Sequence, residues 1–363
     1  MNKFILIIMI FIVTGCAEQR IIDDLALINA AGFDLTDNEN NPLKLTVTFP
    51  IITKDGKYDR KTIMVTGKTN KDAREKVRLK TNLKLESGQI RVSLFGQELA
   101  KKGMLPFINS LVRDPSIGPR AKLALAEDEA SDILMLQIKN EGQNATYLEQ
   151  FLTKLNRESL RTNYNIYQFL RDYYDDGIDP ILPVFNVEKN NIGYNGIGLF
   201  QEDRLIEILK PSEASYLFLF REEMKQGVFV EQIDVGEKEK VSIMLTYELK
   251  EHHIKVQPNN RKKATIYIEL IGDVVEYTGK EDISDPKIQK KIEKIIINRI
   301  NQEGKNLIIK LQKLQVDSLG INRYVRNTMK YDDWKALNKY QAYQDMDIDV
   351  EANVILNSSG KWK

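Results

Sequence analysis

The chain has 363 residues, 42% hydrophobic and 29% charged, which excludes disordered and fibrous classes and makes more than one core the expectation. Lys and Arg number 53 against 52 Asp and Glu, so no bulk charge draws the chain to nucleic acid and no such partner is expected. The single cysteine, Cys16, excludes an internal disulfide and a cysteine-based zinc site, and with only His252 and His253 most histidine-rich metal sites are excluded too.

The first feature in chain order is a signal. Lys3 supplies a positive n-region, and residues 4–13 form an unbroken apolar run. Ten residues of helix span about 15 Å, half of a bilayer core of about 30 Å, which suits a signal peptide better than a permanent span. The run ends in Val13, Thr14, Gly15 and Cys16, a tetrad that resembles the lipobox of bacterial lipoproteins. The resemblance implies cleavage before Cys16, removal of residues 1–15, and diacylglyceryl and N-acyl (palmitate-type) chains on Cys16. One acyl chain binds a membrane only marginally, at about 10⁴ M⁻¹, so two or three on one residue are what makes an anchor stable. The plainer reading is a secretory signal with a chance cysteine. The place of the only cysteine in the chain favours the lipobox.

Residues 21–33 read as a short amphipathic stretch, with Asp23 and Asp24 beside Leu25, Leu27 and Ile28. Residues 43–50 alternate as a strand, Leu43, Leu45, Val47 and Phe49 on one face and Lys44, Thr46 and Thr48 on the other. A turn surrounds Gly56, and another strand begins at 63–65. Residues 71–85 suggest a charged helix with a Leu/Val stripe; its lysines read first as a solvated face and second as a contact for anionic lipid heads. Residues 98–112 form a helix broken or kinked at Pro106. Asp114–Pro115 and Gly118–Pro119 mark a turn, 121–126 a buried strand, and Glu127, Asp128 and Glu129 an acidic turn. Helical spacing over 146–174 (Tyr147, Phe151, Leu155, Leu160 and Phe169) is interrupted near 163–165.

Asp175, Asp176 and Gly177, followed by Pro180 and Pro183, form the best linker in the chain. Beyond it, 192–200 and 204–208 read as a hairpin around Glu202 and Asp203, and 241–249 and 264–275 as further strands. Ser284 or Asp285 caps the clearest helix, Pro286 fits its first turn, and Ile288, Ile292, Ile295, Ile296 and Ile300 form its stripe. The pattern resumes after Gly304 with Leu307, Ile308, Leu311 and Leu314, and 346–354 alternate as a last strand. Strands and helices mix without a regular βαβ period. The expected class is therefore α+β, with two or three domains of mixed sheets and flanking helices, not doubly wound. The expected division is 1–15 removed, 16–185, and 186–363 with a subdivision near 225.

Gly193, Gly196 and Gly198 are in the order G-x-x-G-x-G, which is not the dinucleotide fingerprint and reads as a tight or bulged strand. The carboxylate groups at 127–129 and 175–176 read as solvated turns, and His252 and His253 as an exposed loop pair. No nucleophile–base pair, metal site or cofactor motif is visible, so no catalytic residue, metal or cofactor is expected and the chain is read as no enzyme.

Four blocks together resemble the Ger(x)C family, the C subunits of spore germinant receptors in endospore-forming bacteria. The first runs from Cys16 to Arg20, then Ile22 to Leu27 and Gly32, Phe33 and Asp34, with Ala17 where the family usually has Trp. The second comprises Phe95, Gly96, Glu98, Leu99 and Ala100, then Leu111 to Ile117 and Ala130 to Leu134, with Gly118 where Arg is common. The third is Gly196 to Phe200, Asp203, Arg204, Leu205, Leu209 and Glu213; the fourth is Asp317 to Gly320, Tyr324, Val325, Arg326, Trp334 and the strand around Val350. The resemblance implies a three-domain α+β lipoprotein on the outer face of the inner spore membrane, partnered by integral-membrane A and B subunits. It implies a role in nutrient-triggered germination, brings no catalytic residues, and leaves direct germinant binding open. The alternative is a nutrient-capturing solute-binding lipoprotein of a transport system, which usually shows two α/β lobes with repeating βαβ units.

Overall fold

A computed structural model describes residues 24–53, 55–56, 58–137, 144–158, 164–221, 225–236, 239–257 and 260–357. Residues 1–15, expected to be a signal peptide, and Cys16 and Leu160 lie outside the described residues. Eight strands stand side by side in the order β10 (Arg204–Leu209), β9 (Asn191–Gln201), β8 (Ile181–Glu188), β7 (Lys122–Ala126), β6 (Val92–Gly96), β2 (Ala30–Leu35), β3 (Leu43–Ile52) and β4 (Tyr58–Gly67). The central four, β8, β7, β6 and β2, are parallel. The outer pairs on each side are antiparallel. A separate parallel pair joins β1 (Leu25–Leu27) to β5 (Lys84–Glu86).

Helices bridge the parallel strands. α1 (Asn70–Arg78) follows β4; α2 (Gln97–Lys102) and α3 (Leu105–Val112) join β6 to β7; α4 (Ala130–Met135), α5 (Asn144–Glu158) and α6 (Ile166–Tyr174) join β7 to β8. A short βαβ succession thus sits inside the mixed sheet, hidden in the sequence by the unequal lengths of its crossovers. The expected α+β class with mixed sheets and flanking helices stands. Strand β3 carries its predicted inward row of Leu43, Leu45, Val47 and Phe49, but Thr46 and Thr48 on the other face are also buried. The neighbouring β2 explains why: an added Cβ at Gly32 would meet Leu134 Cδ1 at 2.8 Å, so α4 lies directly on the sheet there. Thr48 Oγ1 donates to Asn29 Oδ1 at 2.6 Å, which satisfies both buried groups.

The break predicted in 98–112 falls at Gly103 and Met104, between α2 and α3. Pro106 sits in the first turn of α3, where its missing N–H costs nothing. Asp203, in the β9–β10 turn, takes over the capping role, its Oδ2 accepting from Leu105 N at 2.8 Å. Gly196 has φ +126° beside the register shift between Val184 and Phe185, so the glycine segment is a bulged strand, as its composition suggests.

A second sheet has the order β11 (Gln226–Gly236), β12 (Glu239–Gln257), β13 (Asn260–Tyr277), β14 (Asp347–Leu356), reached from β10 through α7 (Pro211–Phe220). Between β13 and the parallel β14 come α8 (Pro286–Leu314), α9 (Ile321–Arg326), α10 (Tyr331–Ala336) and α11 (Lys339–Gln344). Asp285 caps α8 by accepting from Lys287 N at 2.8 Å, and Pro286 opens it. The helix is continuous through Gly304, and its 29 residues rise about 43 Å. Ile292, Ile296, Ile300, Leu307, Ile308 and Leu311 bury one face.

Several expectations need correction. The helix expected over 71–85 ends at Arg78, because the chain turns at Leu79 and Lys80 and bends at Asn82 and Leu83 to deliver Lys84–Glu86 as β5. His252 and His253 lie within β12 rather than in a loop; register shifts interrupt the strand's alternation just before them. Residues 175–183 are no linker, since they lead from α6 straight into the central strand β8. Apart from these corrections, the chain passes from one sheet to the other between β10 and β11, while the division expected between 185 and 186 lies along β8.

At Gly304 an added Cβ would lie 2.7 Å from Phe220 Cζ and 2.9 Å from Val350 Cγ2. Alanine there gains about 1 kcal/mol of helix propensity but forces about 1–3 kcal/mol of overpacking. Gly304→Ala is expected to lower the thermal midpoint, whereas an alanine at exposed Lys290 is neutral; paired calorimetric scans check both.

Candidate functional site

Of the residues singled out in the sequence, Cys16 lies outside the described residues. The two carboxylate groups fall in different places. Glu127, Asp128 and Glu129 border a cleft of about 600 Å³ at the C-terminal ends of β2, β6 and β7, together with Asp34, Lys44, Gln97, Glu98 and Lys102. Asp175 and Asp176 belong to a joint between the two sheets, described below. His252 Nε2 contacts Phe220 O at 2.7 Å, and His253 stacks on Tyr267 with ring centroids 4.7 Å apart.

The cleft is organised by Asp34. Its Oδ1 accepts from Ala130 N at 2.6 Å and Oδ2 from Ser131 N at 2.9 Å, at the start of α4. An added Cβ at Gly96 would stand 2.2 Å from Asp34 Oδ1, so only glycine leaves room for this carboxylate. Burial pushes Asp34 up to about 6, against the pull of those two backbone N–H groups. Lys44 Nζ bonds Glu129, which also accepts from Ser131 Oγ at 3.0 Å; the Lys44 bond is the main reason the Glu129 carboxyl falls below its ordinary value. Small-molecule sites are lined mostly by apolar groups around a few polar ones, and this cleft has the reverse composition. Neither histidine lines it. Among the described residues no three His, Asp or Glu side chains converge as metal ligands would.

The joint is better built. Asp172, 6% exposed, ends α6 and receives Arg221 Nη2 at 2.5 Å, Arg171 Nη2 at 2.7 Å and Arg323 Nη2 at 3.2 Å. Arg221, at the end of α7 and 5% exposed, also donates through Nη1 to Ser318 O at 2.7 Å. Asp175 takes Arg323 Nε at 2.9 Å and Arg326 Nη1 at 2.8 Å. Asp176 takes Arg326, Trp334 Nε1 at 2.8 Å and Lys335 Nζ at 3.2 Å. Burial alone would raise Asp176, but hydrogen bonds from Trp334, Arg326 and Lys335 overcome it and bring the carboxyl down to about 2.

Two further carboxylates lie deeper. Asp179 Oδ2 accepts from Asp317 N at 2.7 Å, while Asp317 accepts from Ile321 N at 3.0 Å and Asn322 N at 2.7 Å. Burial pushes Asp317 up to about 7, opposed by the Asn322 N–H and reinforced by the charge of Asp179. Asp175 and Asp176 are therefore half of a lock, not a solvated turn. Asp34, Asp172, Asp179, Asp317 and Arg221 carried no chemical signal in the sequence. The cues available were the membership of Asp34, Asp317, Arg326 and Trp334 in the resemblance blocks and the i, i+3 spacing of Arg323 and Arg326, which presents two cations on one side of α9 to two adjacent carboxylates.

Arg221→Ala leaves Asp172 buried with only its outer partners, so a loss of about 3 kcal/mol is expected, read by urea denaturation. The pH dependence has a definite sign. Asp317, raised to about 7, and Asp34, raised to about 6, hold protons in the folded chain that the unfolded chain has released. Their contribution is full in acid and declines as pH rises from about 4 toward 7. Asp176, lowered to about 2, contributes above the usual carboxylate value and loses that as pH falls toward 2. Asp317→Asn is expected to narrow the gap in unfolding free energy between about pH 5 and about pH 8.

Comparison with known proteins agrees with this architecture. Residues 18–187 match the family described as Spore germination protein N-terminal domain, and residues 195–360 the one described as Spore germination B3/GerAC like, C-terminal. The chain is 26% identical over 356 residues to the spore germination protein GerQC of Bacillus cereus, covering 98% of this chain and 97% of that one. It is 21% identical over 392 residues to spore germination protein KC of Bacillus subtilis, covering 98% and 95%. In fold it is similar to the crystal structure of the GerBC protein, with a TM-score of 0.57 over 91% of this chain and 98% of that chain at 17% identity. Two family matches laid end to end, with relatives aligned along nearly their whole lengths, show that the chain belongs to the Ger(x)C, or GerAC-like, family of spore germination proteins.

Proposed function

We propose that this protein is the lipid-anchored C subunit of a nutrient germinant receptor, acting without catalysis beside integral-membrane A and B subunits. The observation that carries this reading is the pair of family matches spanning 18–187 and 195–360, which begins two residues after Cys16. Lipid on Cys16 would hold the folded part at the outer face of the inner spore membrane. No helix among the described residues is long and apolar enough to cross a membrane, so the anchor reading assigns retention to Cys16. The joint supports a role in assembly: it fixes two sheets of different build against each other and so presents one composite surface to a partner. A solute-binding lipoprotein would be expected to show two similar α/β lobes. Here one sheet has eight strands and the other four, with different topologies.

Deleting the gene is expected to abolish or slow germination with at least one nutrient, scored by loss of spore refractility. Unchanged germination with every nutrient, in a strain lacking paralogous receptors, would overturn the receptor role. Cys16→Ala is expected to move the protein from the membrane fraction to the soluble fraction with its circular dichroism unaltered. Full retention in the membrane fraction would assign the hold to partner contacts instead of lipid.

A further inference from the structure

Positive charge is not spread evenly over this nearly neutral chain. Residues 68–86 carry seven basic side chains against three acidic ones. The segment comprises α1, the turn after it and β5. At its centre stands Leu79, 75% exposed, between the exposed Arg78 and Lys80, with Lys84 exposed at the start of β5. Arg78 pairs with Glu75 at 2.8 Å, and Lys84 lies 3.8 Å from Glu86, but all four side chains are solvent-accessible and such pairs leave the local excess of positive charge in place.

The pairing of β1 gives this patch its meaning. β1 and β5 are parallel and begin together, Leu25 opposite Lys84. The chain coming from Cys16 therefore joins the fold beside the turn that carries Leu79. Eight residue steps separate Cys16 from Asp24, a reach of at most about 29 Å even when fully extended. A lipid on Cys16 thus confines the basic turn to the neighbourhood of the headgroups, where an exposed leucine flanked by cations is the chemistry that an anionic interface accepts.

We propose that the turn between α1 and β5, with Arg78, Leu79, Lys80 and Lys84 foremost, is the face this protein sets against the anionic headgroups of a phospholipid bilayer. The inference rests on the reading of Cys16 as the lipid anchor. It orients the molecule: β1 and β5 lie toward the membrane, and the anchor and the cations form two attachments close together.

The test uses the lipidated full chain carrying Leu79→Cys. Lipid consumes the thiol of Cys16, so the new cysteine alone accepts an environment-sensitive fluorophore. The labelled protein is reconstituted in phosphatidylcholine vesicles with or without about 30% phosphatidylglycerol and with headgroup-depth nitroxide quenchers. Val230→Cys, on the exposed edge strand β11, serves as the control. The expected result is flotation with both kinds of vesicle, and strong quenching of the Leu79→Cys label only in the anionic ones. Added Lys80→Gln and Lys84→Gln substitutions should each lower contact about fivefold. Flotation with an unquenched Leu79→Cys label, or with equal quenching at Val230→Cys, overturns this face and leaves the anchor standing. Failure to float, with label entering Cys16, overturns the anchor and this proposal with it. Quenching that appears only when the integral-membrane subunits are present assigns the turn to a protein partner and also overturns it.

Discussion

The contact on which the rest of the arrangement depends is the buried pair of Asp172 and Arg221. Each is almost wholly removed from water, and each belongs to a helix end, α6 for the carboxylate and α7 for the guanidinium. Desolvating two charges is expensive, and the cost is offset only where the geometry is good and the remaining hydrogen-bonding positions are filled. Both conditions hold. Arg221 reaches Ser318 O as well, and Asp172 also takes Arg323, so the pair draws the segment after α8 onto the end of α6. Asp175, Asp176 and Asp179 extend the same lock outward and inward. Charge of this kind adds less to net stability than apolar burial of equal size. It specifies one relative placement of the two sheets, because a shifted arrangement leaves charges buried and unpaired.

The cleft beside Asp34 obeys a similar logic on a smaller scale. A carboxylate is held by two backbone N–H groups at the start of α4, and a glycine in β6 makes room for it. The arrangement ties β2 to α4 at the boundary between β2 and β6, where the connections from the two strands leave in opposite directions. Its surrounding carboxylates belong to the fold as much as to any ligand, since Glu129 is already engaged by Lys44 and Ser131.

How much of this was legible in the sequence depended on how far each signal reached. Strand β3, the β9–β10 hairpin, the long α8 and the last strand β14 are visible because their apolar periods are regular over many residues. β12 is longer than its clean alternation over 241–249, and the shift at Leu249 and Glu251 breaks the period just before His252. The segment 175–183 misleads for a different reason. Its aspartates, glycine and prolines have the composition of a linker, and the arginines that bury it lie roughly 150 positions away along the chain. The expectation for Cys16 rests on its immediate neighbours, which alone define the motif. Asp34 and Asp317 stood out only as members of the family blocks and Asp179 not at all, because burial of a lone aspartate is a property of the fold and leaves no local mark.

Strand β14 is made last yet must lie beside β13, about seventy residues earlier, with four helices between. The outer cations of the lock, Arg323 and Arg326, belong to that late stretch, whereas Asp175 and Asp176 belong to the first half. A chain emerging N-terminus first can complete its eight-stranded sheet while these carboxylates still face water. It can close the lock only after the final helices have followed. A product cut short before α9 would therefore keep one finished sheet and display Asp175 and Asp176 without Arg323, Arg326, Trp334 and Lys335, while Asp172 kept Arg171 and Arg221. Completion of the chain is thereby written into the charge of its surface, as a difference that a protease or chaperone is able to read.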